Sequence, residues 1–226
     1  MTTEIENAEP TPAAIAEAIA LLTCNRRPRP VVTRTGKRAR GYVPSFKQCP
    51  GKEGLPKFES LVEEDVLRVL EVASSVLRYI THPYVLELST HGCPHHYTPD
   101  GEVSMAHTLG LLEAKGDYWL SVPSSRDALM RNIRALKALR IPLFLLLGSD
   151  VREGGLQEQL KLVLRERPVC SRRRTDLDPT QWDPRGLTQP TGAQLRLWRD
   201  TQKACDALLD RVIRRDPDEV FEQALS

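Results

Sequence analysis

Apolar positions recur at helical spacing through Phe58, Leu61, Val62, Val66, Val69, Leu70 and Ala73. That period predicts an amphipathic helix over residues 59–73. Ahead of it, the Ala-rich residues 12–22 predict a short helix. Behind it, β-branched and aromatic runs at 76–80 and 84–88 predict two strands around Thr81-His82-Pro83. Strands over 96–105 and 108–114 follow. Pro123-Ser124-Ser125 opens a helix to residue 140, with a serine as the expected N-cap. Its buried stripe is Ala128, Leu129, Ile133, Leu136 and Leu139. Residues 141–147 are a continuous apolar run, read as a buried strand. Residues 156–165 are helical again. Further on, Leu195, Trp198, Ala204, Leu208, Leu209 and Ile213 lie on one face of a helix over 191–215. Asp216-Pro217 ends it, and a short last helix is expected. This order predicts an α/β fold, a mixed sheet with helices packed on it.

Between these elements lie two stretches of another texture. Residues 25–54 are rich in proline, glycine and base, and read as a loop or arm. Residues 168–190 are rich in Pro, Asp and Arg, and read as a linker or irregular segment. The expected organisation is an N-terminal helix and arm (1–37), a central domain (38–167) and a linker with C-terminal helices (168–226). Those helices either dock on the central core or form a small partner-binding module. No internal repeat is visible.

Composition narrows the class. The chain has 226 residues, enough for one sizeable core or a core with a small appendage. Its apolar content of 40% and charged content of 27% suit a water-soluble globular protein. No apolar run approaches the ~20 residues of a membrane span, so no membrane partner is expected. Glu4, Glu6, Glu9 and Glu17 do not suit a secretory signal. Five scattered cysteines fit a reducing cytoplasm better than a disulfide framework. The formal net charge of +2 says little, but its distribution says more. Between Glu17 and Glu53 there is no acid, and bases accumulate there. Arg34, Lys37, Arg38, Arg40 and Lys47 are the candidate polyanion contacts, with Arg172, Arg173 and Arg174 as a second cluster. The plainer alternative is a solvated arm, which can itself fold on nucleic acid.

The chemistry concentrates in "HYTPDGEVSMAHTLGLLEAKGD", residues 96–117. Strand alternation puts Glu113 and Lys115 on one face. A hairpin through 105–108 brings Asp100 near Glu113. Glu63, bordering the apolar face of the preceding helix, can supply a third acid; Glu59 and Glu64 are its neighbours in phase. Two carboxylates brought together repel, and a hard divalent cation such as Mg²⁺ relieves that repulsion through oxygen ligands. A cation there would polarise a phosphoryl oxygen and activate a water. Lys115 would orient that water or stabilise charge on phosphorus.

Pro-Asp, a spacer and Glu-x-Lys form the signature of PD-(D/E)xK, or restriction-endonuclease-like, nucleases. Alone it is weak, because a hairpin bearing these residues is usually a solvated face. Its surroundings are more specific. Ser60 to Glu63, Val76 to Pro83, Tyr97 to Asp100, and Glu113 with Lys115 stand in the order of the TnsA family's motifs. "GYVPSFK" from Gly41 resembles that family's Pro-Ser-x-Lys segment, and "LKALRIPLFLLLGSDVRE" its post-core stretch. The resemblance covers roughly residues 38–165. It implies a restriction-endonuclease-like catalytic domain in which Glu63, Asp100 and Glu113 are metal ligands and Lys115 is the catalytic lysine. It further implies Mg²⁺-dependent phosphodiester hydrolysis, with Mn²⁺ as a substitute, at the 5′ ends of a transposon in double-stranded DNA. The DDE transposase TnsB and the AAA+ regulator TnsC would be the partners, in the bacterial cytoplasm at the nucleoid. The helices from Thr191 are the candidate TnsC contact.

The sequence departs from the family in three places. Gly101-Glu102 replaces a bulky apolar pair, so a bulge at Gly101 and a competing ligand at Glu102 are expected possibilities. Gly148-Ser149-Asp150 stands where an acidic Thr-Glu is common. The C-terminal tail is short for a winged helix. His91, Cys93, His95 and His96 suggest zinc but match no structural zinc spacing, so turn residues beside a strand are the expectation. A stand-alone restriction-like or repair nuclease, and a non-catalytic DNA-binding scaffold, are the competing functions.

Overall fold

The computed structural model describes residues 9–26, 28, 39–47, 55–168 and 178–223. Helix α1 (Pro12–Leu22) is capped by Thr11. Two short strands, β1 (Gly41–Tyr42) and β2 (Lys57–Phe58), pair antiparallel. Helix α2 (Leu61–Val72) begins later than the apolar period suggested, because Ser60 caps it. Strands β3 (Val76–Thr81), β4 (Leu86–Thr90), β5 (Cys93–Tyr97), β6 (Gly101–Met105) and β7 (Leu109–Lys115) follow. A 3₁₀ turn at Asp117–Leu120 leads to α3 (Pro123–Ala138). No serine caps α3; Val122 holds the cap position and Pro123 opens the first turn. Strand β8 (Leu143–Leu147), α4 (Gly148–Arg152), α5 (Leu156–Glu166), α6 (Gly192–Arg214) and α7 (Glu219–Gln223) complete the chain.

The expected single strand over 96–105 is two strands in two sheets. β5 pairs with β4 in a separate antiparallel hairpin, while β6 joins the main sheet. Pro99, which has no N–H to give a ladder, lies in the break. The main sheet has the order β3-β6-β7-β8. β3, β6 and β7 are antiparallel neighbours, and β8 runs parallel to β7. The protein is thus mixed α/β, with a mixed sheet flanked by helices.

Alternation divides the core between the two faces of this sheet. Leu112, Ala114, Phe144 and Leu146 pack with α2, α5 and α6 residues. Leu109, Leu111, Leu143, Leu145 and Leu147 pack with residues of α1, α3 and β4. β7 is buried along almost its whole length, as a central strand covered on both faces must be. Trp198, Cys205, Leu208, Leu209 and Val212 of α6 belong to the same cluster as α2. The C-terminal helix therefore docks on the main core. Among the described residues, no helix is long and apolar enough to cross a membrane.

A buried polar cluster ties this arrangement together. Arg167, the residue after α5, donates to Glu71 Oε1 at 2.8 Å, and both side chains are almost fully buried. Glu71 also accepts from Ser45 at 2.8 Å and from the Phe46 N–H at 3.0 Å. The Arg167 guanidinium lies over the rings of Phe46 and Trp198, 4.6 and 4.7 Å from their centroids. It donates further to the carbonyls of Pro179, Gln181 and Trp182, each at 2.9 Å.

Candidate active site

The β6–β7 ladder pairs Gly101 with Leu112. Continued by one residue, that register sets Asp100 across from Glu113, as the sequence predicted for a hairpin. The Asp100 Oδ2 accepts from the Ala114 N–H at 2.8 Å, which fixes this carboxyl at the end of the ladder. Glu113 is buried, with 5% of its surface exposed. Its two oxygens are held separately. Lys115 Nζ lies 2.5 Å from Oε1, and the Tyr97 hydroxyl donates to Oε2 at 2.6 Å. Lys115 reaches Glu113 because alternation puts both on one face.

Burial and then the charge of Glu113 push Asp100 well above the ordinary carboxylate range, against the pull of Lys115. Burial alone would lower Lys115, but Glu113 and then Asp100 outweigh it and raise its pKa. The Lys115 amine is therefore an ammonium at neutral pH. Burial, followed by the Glu113 charge, raises Tyr97 far above its usual value, so its hydroxyl remains a donor.

Glu63 also belongs to this electrostatic cluster. Its charge acts on both Asp100 and Lys115. Its carboxylate is, however, engaged at the start of α2. Oε1 accepts from Ser60 Oγ at 3.0 Å, and Oε2 accepts from the Glu59 N–H at 2.8 Å. In return the Glu63 N–H donates to Ser60 Oγ at 3.2 Å. This is a variant of the capping box, in which the carboxylate serves the N–H one residue before the cap. The Ser-x-x-Glu element thus has a structural role in starting the helix. Burial opposes ionisation of Glu63, but the nearby His82 ring and the hydrogen bonds from the Glu59 N–H and Ser60 Oγ outweigh it and hold its pKa below the ordinary value.

Gly101 does not bulge. Its ladder is regular on both sides, with partners Thr81 and Leu112. The irregularity of β6 pairing lies instead between Val76 and Arg78 of β3. A β-carbon at Gly101 would stand 3.0 Å from the Ile80 carbonyl and 3.3 Å from Leu112 Cδ2, so the close strand approach favours glycine. Glu102 accepts from the Tyr84 hydroxyl at 2.6 Å, which gives this acid a partner of its own. In α4, Ser149 donates its N–H to Asp117 at 2.9 Å, and Asp150 pairs with Arg215 at 2.7 Å.

The remaining candidates fare differently. Lys47 is 1% exposed and its Nζ donates to the carbonyls of Leu70, at 3.0 Å, and Ala73. It closes the C-terminal end of α2 from inside and is not a surface contact for DNA. Arg40 is half-buried just before β1. Arg34, Lys37 and Arg38 lie outside the described residues, as do Arg172, Arg173 and Arg174. His91 and Gly92 form the β4–β5 turn, both with positive φ, and His95 Nε2 lies 3.0 Å from Asn132 Oδ1. Sequence reasoning passed over His82, whose N–H donates to the Asp100 carbonyl at 3.0 Å. Its only signal was its place before Pro83, inside a motif defined by other residues.

The donor set suits a hard cation. Asp100 and Glu113 are neighbouring carboxylates, and burial followed by the charge of Glu113 raises the Asp100 pKa. Among the described residues, no three His, Cys, Asp or Glu side chains form a ready cage. Mg²⁺ does not require one, since it is commonly held by one or two carboxylates, water and substrate phosphates. Neither the known protein-family models nor the curated proteins searched include a match to this chain.

Proposed function

We propose that this chain is a Mg²⁺-dependent DNA endonuclease with a restriction-endonuclease-like core, acting as the 5′-end-cleaving subunit of a heteromeric transposase of the TnsA type. Double-stranded transposon ends are its substrate, TnsB and TnsC its partners, and the bacterial nucleoid its place of work. Mn²⁺ is expected to substitute. One observation carries the reading. Asp100, Glu113 and Lys115 converge from β6–β7 in a buried cluster with one ammonium and an excess of carboxylate. The order α2, antiparallel β3-β6-β7 and parallel β8 agrees with the motif order.

Asp100 and Glu113 would hold the metal, with Glu63 the third acid within electrostatic reach. When bound, the metal would polarise a phosphoryl oxygen and lower the pKa of a water. The chain's own groups have definable tasks. Tyr97 fixes the rotation of Glu113 through Oε2. Lys115, its pKa raised by Glu113 and Asp100, would stabilise negative charge developing on phosphorus. The Ala114 N–H orients Asp100.

The test is an end-cleavage assay reconstituted with TnsB- and TnsC-type partners and Mg²⁺. Asp100→Ala and Lys115→Ala are each expected to lower 5′-end cleavage by about 10²-fold or more while DNA and partner binding persist. Cleavage at the wild-type rate by either variant would overturn the assignment. Cutting of duplex DNA by the chain alone would mark a stand-alone nuclease instead.

A further inference from the structure

His82 sits where three parts of the site meet. Its backbone N–H donates to the carbonyl of Asp100 at 3.0 Å, continuing the β3–β6 pairing past Thr81 and Gly101. Its ring Nε2 lies 3.5 Å from Glu63 Oε2, at the N-terminal end of α2. The side chain is 11% exposed. The ring atom is buried and makes no hydrogen bond of standard geometry. The backbone φ is 44°, in the left-handed region that non-glycine residues rarely adopt. Such strain persists only where the surroundings over-determine it, and it concentrates at functional sites.

We infer that His82 is a positioning residue that holds the Glu63 carboxylate against the Asp100–Glu113 cluster. The inference rests on the nuclease reading of that cluster. Helix α2 and the β6–β7 pair contribute acids from separate elements, and His82 contacts both. Its main chain registers the Asp100 segment, and its ring approaches Glu63 Oε2, the oxygen that also accepts from the Glu59 N–H. The strained backbone is what aims the ring from the end of β3 towards the start of α2. Without the ring, Glu63 keeps its Ser60 and Glu59 contacts but loses the imidazole beside Oε2. Partners behind a metal ligand typically change metal affinity or activity by about 10–100-fold when removed.

The left-handed backbone supplies a clean variant. Glycine accepts φ near 44° without strain and retains the N–H given to Asp100. His82→Gly therefore removes the ring alone. Mn²⁺ binding to the full chain, measured by titration calorimetry, is expected to weaken about tenfold or more. The melting temperature in EDTA should stay within a few degrees of wild type. Cleavage in the reconstituted reaction should recover as Mn²⁺ is raised. The double variant His82→Gly/Glu63→Gln should bind Mn²⁺ no more weakly than Glu63→Gln, since the ring acts through that carboxylate. A His82→Gly affinity within twofold of wild type, or additive effects in the double variant, would overturn the inference and leave the nuclease reading standing. A wild-type chain that neither binds Mn²⁺ nor cleaves overturns both.

Discussion

The Lys47 ammonium lies against the last carbonyls of α2, those of Leu70 and Ala73, with almost no contact with water. Burial lowers its pKa from 10.5 to about 8, with Glu71 acting in the opposite sense. The sign of the consequence is fixed. Between about 8 and the ordinary value the folded chain binds fewer protons than the unfolded chain, so stability rises with pH across that window. As pH falls through 8 this contribution is lost. Urea unfolding of wild type and Lys47→Met, compared from pH 7 to 10.5, should show wild type gaining relative to the variant by roughly 1–3 kcal/mol. A flat difference would contradict the assignment. The same residue marks a limit of sequence reading. A lysine in a basic stretch reads as a surface cation, and nothing nearby along the chain announces that α2 ends against it. Asp100, Glu113 and Lys115 were legible because strand alternation and a short hairpin are local rules. The partners Tyr97, Tyr84 and His82 were not, because their contacts join a separate hairpin and the loop after β3 to the main sheet and α2.

Helix α2 and strand β7 are the elements that carry the site, and both were visible as patterns. The period of α2 was clear, while its first residue depended on the Ser60 cap. The strand over 96–105 was misread because apolar and polar positions continue to alternate across Thr98-Pro99-Asp100 although the chain changes sheets there. β7 carries one position with no room. A β-carbon at Gly110 would stand 2.5 Å from Phe144 Cε2 and 2.6 Å from Cζ. Phe144 is buried on the neighbouring β8 and packs in the α2-side core, so its ring cannot swing into solvent. Gly110→Ala should cost about 1–3 kcal/mol in urea unfolding by overpacking. An unchanged midpoint would mean that the β7–β8 interface is looser than these distances describe.

Across the whole molecule, Arg167 joins segments far apart in the chain. Glu71 of α2, Phe46 of the N-terminal segment, Trp198 of α6 and the carbonyls at 179–182 all meet its guanidinium. Removing one partner of a buried ion pair leaves an uncompensated charge. Arg167→Met is expected to cost about 3–5 kcal/mol in equilibrium unfolding. A loss below about 1 kcal/mol would show that water replaces the guanidinium without penalty. This connection was not legible in the sequence, because residues 168–190 have a linker's composition, and the contacts of residues 179–182 with Arg167 join positions distant from the elements whose patterns were visible.

That arginine takes hold of the C-terminal stretch by its main chain. Pro179, Gln181 and Trp182 are bound through carbonyl oxygens, which every amino acid possesses. The attachment at Pro179 and Gln181 is therefore indifferent to spelling, while Trp182 adds a ring contact with Trp198. Related chains could rewrite the side chains at 179 and 181 freely and keep the same docking, provided the position equivalent to Arg167 stays an arginine.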